Sequence, residues 1–133
     1  MGKWSIDTRT RPGILAVRLE GAFLLDEMRE FIASHNAAVD AFGTHAYRVF
    51  VDIRMLVALR PECATELEKA KRYSATRDNF QGSAVLTLGS VVAMQHRRTS
   101  QTGGVLDTEL ISDDEAACWR HLATVRRATK REL

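Results

Sequence analysis

Apolar positions recur along this chain in two rhythms, and the switches between them divide it into elements. Residues 4–10, a turn at "RPG" and then "ILAVRLEG" predict two strands joined by a short loop, with Leu15, Val17 and Leu19 on one face of an antiparallel hairpin. From Leu24 the period lengthens. Leu24, Met28, Phe31, Ile32, His35, Val39 and Phe42 fall at helical spacing and predict a long helix ended by Gly43. "YRVFVDI" is β-branched and almost continuously apolar, the pattern of a central strand covered on both faces. "PECATELEKAKRYSAT" is a second helix opened by Pro61, where a missing backbone N–H matters little. "GSAVLTLG" repeats the buried-strand pattern. "SVVAMQHRR" predicts a third helix capped by Ser90, and beyond "TSQTGG" the segment "VLDTELI" predicts a last strand. Ser112 and Glu115 form an S-x-x-E capping box for a final helix that turns Trp119 and Leu122 inward.

The order β-β-α-β-α-β-α-β-α defines an α/β fold, a mixed sheet of about five strands with about four helices. Helices between the later strands imply right-handed crossovers and parallel pairing, and the opening hairpin supplies the antiparallel part. Leu15, Val17, Phe31, Ile32, Val49, Val51, Val85, Leu86 and Trp119 are the predicted core. With 133 residues, 45% hydrophobic and 27% charged, the chain suffices for one domain, assigned to residues 1–125, before a solvated basic tail at 126–133.

The net charge of +2 is spread through the chain, which gives no global argument for nucleic acid or a membrane surface. No window approaches the roughly 20 apolar residues of a membrane span. Cys63 and Cys118 lack metal or disulfide spacing, so a cytoplasmic location is expected. Ile6 stands where a myristoylation signal wants Ser or Thr, and the terminal "KREL" has no entry signal beside it.

The order of elements, "ILAVRLEGAF" before a long amphipathic helix, the strand end "VFVDIR", the strand "GSAVLTLG" and the ending "LISDDEAACWRHL" together resemble a SpoIIAA-like domain of the STAS fold, in the branch grouped with CRAL-TRIO-type lipid-binding proteins. The resemblance runs from about Trp4 to Leu122 and rests on architecture more than on motif. It implies a regulatory module. Anti-sigma factor antagonists of this family carry a phosphorylatable Ser where the helix after the third strand begins, in a pattern like Asp-Ser-Ser-Gly. This chain reads "VALRPECA" there, and Thr65 falls inside the helix, so the resemblance comes without the phospho-switch. Arg60 and Glu62 put a pair of opposite charges in its place.

Individual residues add little catalytic chemistry. Asp52 ends a buried strand, a position that suits a general base or metal ligand in an enzyme, but its expected use is structural, with Arg54 as ion-pair partner. His35, His45, His96 and His121 are scattered without an HxxxH pair, so no metal is expected. Cys63 lies in the first turn of a helix without a base or oxyanion site beside it, the pattern of a small apolar residue. Lys69, Lys71, Arg72, Arg77, Arg97 and Arg98 form a basic face whose single interleaved aromatic, Tyr73, is a weak signal for a polynucleotide. "LGSVV" lacks the glycine pattern of a nucleotide loop, so no cofactor is expected.

The expected function is therefore non-catalytic: regulation by binding another protein or a second copy of the chain. Carriage of a small apolar ligand or lipid comes second, with Leu24, Met28, Phe31 and Ile32 as a candidate wall, and an enzyme third. Loops at the carboxyl ends of parallel strands converge, so the expected interaction surface comprises Asp52, Arg54, Arg60, Glu62, Cys63, Leu88, Ser90 and Val92. Self-association is expected through the first strand, where Trp4 would otherwise lie near solvent.

Overall fold

The structure is a computed structural model that describes residues 1–128. It runs β1 (Lys3–Asp7), β2 (Ile14–Gly21), α1 (Leu25–Ala41), β3 (Tyr47–Leu56), α2 (Pro61–Ala75), β4 (Phe80–Leu86), α3 (Ser90–Gly103), a 3-10 turn (Leu106–Thr108), β5 (Glu109–Ser112) and α4 (Glu115–Thr124). The fold is α/β, with the five strands side by side in chain order. β1 is antiparallel to β2, and β2 through β5 are parallel.

Alternation along the strands splits the core in two. Leu15 lies opposite Val49 and Val17 opposite Val51, and this face packs with Met28 and Phe31 of α1 and Leu67 of α2. On the other face Phe50, Ala84 and Leu86 meet Cys118 and Leu122 of α4. α1, α2 and α3 thus share one side and α4 holds the other. Cys63 and Cys118 are free and buried in these two separate cores.

Several boundaries differ from the expectations. α3 runs on through "TSQTG" because the helical repeat set by Val92 continues at His96, Thr99 and Gly103 with polar or small residues in place of apolar ones. Its N-cap is Gly89, and Ser90 makes no capping bond. α4 is capped by Asp114, whose carboxylate accepts from the N–H groups of Ala116 and Ala117 at 3.0 and 3.4 Å, because Ser112 is still the last residue of β5. Ser112 instead accepts from the Asp114 N–H.

Leu24 is the N-cap of α1 and faces outward, so it is no part of a ligand wall. Trp4 is half-buried against Phe31, with ring centroids 5.9 Å apart, which removes its exposure as a reason for self-association. Trp119 is also half-buried, stacked between Phe50 and the Arg11 guanidinium. Ile32 is likewise half-buried, while the other expected core residues are buried. The tail is not simply solvated. Arg127 donates to the carbonyls of Ala75 and Arg77 and takes its backbone N–H to Gln81. The remainder of the expected tail, residues 129–133, lies outside the described residues.

Candidate functional site

β2, β3 and β4 all end at the same edge of the parallel sheet, and the segments that leave their carboxyl ends build one surface. Neither α2 nor α3, which begin at this edge, has a side-chain N-cap, so both present N–H groups toward it. The loop after β3 is pinned to α3 by a reciprocal pair: Gln95 accepts from the Leu59 N–H at 2.7 Å and donates to the Leu59 carbonyl at 2.7 Å. The Val57 N–H donates to the Gly21 carbonyl, tying the same loop to the end of β2.

Large apolar side chains are exposed on this scaffold: Met55 (62%) and Val57 (55%) at the end of β3, Leu88 (67%) after β4, and Val91 (69%) and Met94 (59%) on the first turns of α3. Leu24 joins them after β2. Folding normally hides such residues, and here they are concentrated at one end of the sheet. Exposed Arg60 and Arg98 lie at its border, Arg98 one turn beyond Met94 on the same helix face.

The expected surface residues divide. Leu88, Ser90, Arg60 and Glu62 are exposed there. Cys63 is not, because its thiol turns into the core and donates to the Phe23 carbonyl at 3.7 Å, and burial pushes its pKa up. Val92 turns half-inward against the core and Val91 takes the exposed position. Asp52 is buried on the α4 face of β3 and forms a two-pronged pair with Arg54, at 3.1 and 2.8 Å. Burial opposes its charge, but the Arg54 side-chain and backbone bonds prevail and hold the carboxyl below its usual range. Arg54 also faces Glu115 at 3.9 Å, so the pair fastens β3 toward α4.

A second cluster lies away from the expected surface. Lys71, assigned from sequence to a solvated basic face, turns its ammonium under α3 and donates to Thr99 Oγ1 at 2.6 Å, Ser100 Oγ at 2.7 Å and the His96 carbonyl at 3.2 Å. All three N–H bonds are used. The Ser100 hydroxyl donates to one oxygen of Glu109 and Ser83 donates to the other at 2.9 Å. Desolvation lowers the Lys71 pKa to about 7, with Glu109 and Glu68 opposing the shift. His96 is 3% exposed and its Nε2 has no hydrogen-bond partner among the described residues. Lys71, His96 and Glu109 border a partly open cavity of about 40 Å³ whose other walls include Val17, Phe31 and Val51.

The sequence held a signal for this cluster. Lys71 is one turn beyond Leu67 and one residue past Ala70, both on the buried stripe of α2, so the spacing that selects the stripe also selects the lysine stem. Among the described residues no three His, Cys, Asp or Glu side chains gather as metal ligands. No described helix is long and apolar enough to cross a membrane. Comparison with models of known protein families returned no match. Comparison with the curated proteins likewise returned none.

Proposed function

We propose that this chain is a non-catalytic interaction module that binds a protein partner through the surface at the carboxyl ends of β2, β3 and β4. The exposed group Met55, Val57, Leu88, Val91 and Met94 carries this reading. The two methionines suit an adaptable contact, and Arg60 and Arg98 at its border favour a partner with an acidic rim. The STAS-like order of elements read from the sequence agrees with a regulatory module, and the absence of Ser at the start of α2 argues that regulation does not run through a phosphate there. Two buried free thiols fit a reducing, cytoplasmic setting. A second copy of the chain is an alternative partner, and the outer edge of β1, at the end of the sheet, is a further place for it.

Carriage of an apolar ligand has this cavity in its favour and the cavity's size against it. About 40 Å³ is far below the roughly 300–1,000 Å³ of pockets that enclose drug-sized ligands.

Capture from the native lysate should compare the wild type with Val91→Asp/Met94→Asp, with Arg60→Glu and with Arg120→Glu on α4. The first two variants should lose the same partner, the α4 variant should keep it, and surface changes of this kind should alter stability by only about 0.5 kcal/mol. If the α3 double variant retains every partner while reversal of Lys69 and Arg72 loses them, the surface lies on the helices and the proposal fails.

A further inference from the structure

We propose that α3 is an acid-released element: protonation of the buried His96 ring beside the Lys71 ammonium detaches α3 from α2 and withdraws the surface built on Val91 and Met94. The regulatory meaning rests on the interaction reading above, but the release itself does not.

The first observation is how α3 is held. Among the described residues, α1 buries Met28, Phe31 and Val39, α2 buries Leu67 and α4 buries Leu122, whereas the buried face of α3 consists of His96, Thr99, Ser100 and Gly103. Its large apolar anchor, Val92, is only half-buried. Polar bonds do most of the holding: Lys71 to three groups of α3, the reciprocal Gln95–Leu59 pair, and the Arg72 guanidinium to the Thr102 carbonyl at 3.2 Å. An element fixed with little apolar burial belongs to the less stable part of a fold.

The second observation is the arrangement of charge. The Lys71 ammonium fills its three acceptors, and Glu109 is engaged by Ser83 and Ser100. One cation and one carboxylate are therefore matched. Around His96, α2 contributes Lys71 and, acting on Lys71, Glu68; β5 contributes Glu109; and α1 contributes His35 across the cavity. On α3 itself Arg97 and Arg98 are exposed. A proton on His96 adds a second cation beside Lys71 with no carboxylate of its own, and its Nε2–H has no acceptor among the described residues. Desolvation and Lys71 accordingly hold the His96 pKa well below the ordinary 6.5. A charged ring of this kind is stabilised by full solvation, and displacement of α3, the helix that carries it, supplies that solvation. His35 is a second buried base, its pKa lowered by burial and its Nδ1 paired with Asn36, so the test must separate the two.

Amide hydrogen exchange on the isolated wild-type chain, followed from about pH 8 to about pH 4.5 and expressed relative to intrinsic rates, reads this directly. Below the transition α3 should lose about tenfold in protection per pH unit, the linkage of one proton, while β3 and β4 keep theirs. His96→Leu, which leaves His35 and Lys71 in place, should hold α3 protection level below about pH 7, where Lys71 carries its proton whether or not α3 is docked. Histidine-labelled NMR of the wild type supplies a test that needs no variant: the His96 ring should titrate together with the loss of α3 protection. The proposal is overturned if the ring titrates while α3 stays protected, if α3 protection does not change, or if all elements lose protection at one pH. It is also overturned if a folded His96→Leu chain shows the wild-type loss. None of these readouts uses a partner, so failure of the docking surface and failure of the switch remain distinct.

Discussion

Lys71 keeps a charge inside the molecule at the expense of its affinity for the proton. Its pKa falls from the ordinary 10.5 to about 7, so between these values the unfolded chain binds more protons than the folded one. Stability from this residue is complete above about 10.5, declines as pH falls, and is gone below about 7. Unfolding free energy measured in denaturant should therefore rise from neutral to mildly alkaline pH in the wild type and lose that slope in Lys71→Met, whose stem fills the same space. Cys63 and Cys118, whose thiols burial pushes up, act in the opposite sense at higher pH but are present in both proteins, so the difference isolates the lysine. Residue type and position point opposite ways at Lys71, and position prevails. Lysine is usually solvated, yet this one lies on the stripe that Leu67 and Ala70 define.

At the scale of elements, α2 and α3 approach closely where Gly103 faces Lys71. A β-carbon built there would lie 2.6 Å from Lys71 Cβ and 3.1 Å from the Glu68 carbonyl oxygen. Gly103→Ala should destabilise the protein by about 1–3 kcal/mol, the range for forcing atoms into packed interiors, and chemical denaturation would check it. A change below about 0.5 kcal/mol would mean that the helices separate freely. The strands are legible in the sequence because their β-branched runs and alternation have few other uses, as in "YRVFVDI". α1 is legible because Met28, Phe31 and Val39 keep the helical period with apolar side chains. The second half of α3 is not, since its inward positions are polar and mimic a loop wherever hydrophobicity alone is the guide. The surface at the strand ends is half legible: topology locates the edge, but the turn that exposes Val91 and buries Cys63 depends on helix phase.

The whole molecule is closed by a residue beyond its last helix. Arg127 joins the end of α2, through Ala75 and Arg77, to the start of β4 at Gln81, while Arg48 on β3 donates to the Val125 carbonyl at 2.7 Å. Arg127→Ala should cost about 1.5–3 kcal/mol, the range for hydrogen bonds from a charged donor, read as a lowered denaturant midpoint with an unchanged slope. An unshifted midpoint would show that these contacts exchange with water without consequence. Composition alone marks this segment as a polar tail, because nothing local reveals that an arginine will find carbonyls far away along the chain.

The five strands stand in the sheet in the order in which they occur in the chain, and this has a consequence for synthesis. As the chain leaves the ribosome, each new strand has its neighbour already waiting, and no later segment must be inserted between two earlier ones. The hairpin and α1 supply a template, β3 with α2 extends it, and β4 with α3 extends it again, so assembly proceeds by growth at a single edge. Pairing between successive strands makes each loop closed during assembly shorter than in a parallel sheet whose order skips strands, and so lowers its closure entropy. Arg127 emerges after every strand is made and then bonds back onto α2 and β4, so the final latch of the fold also belongs to the last described stretch of chain to be synthesised.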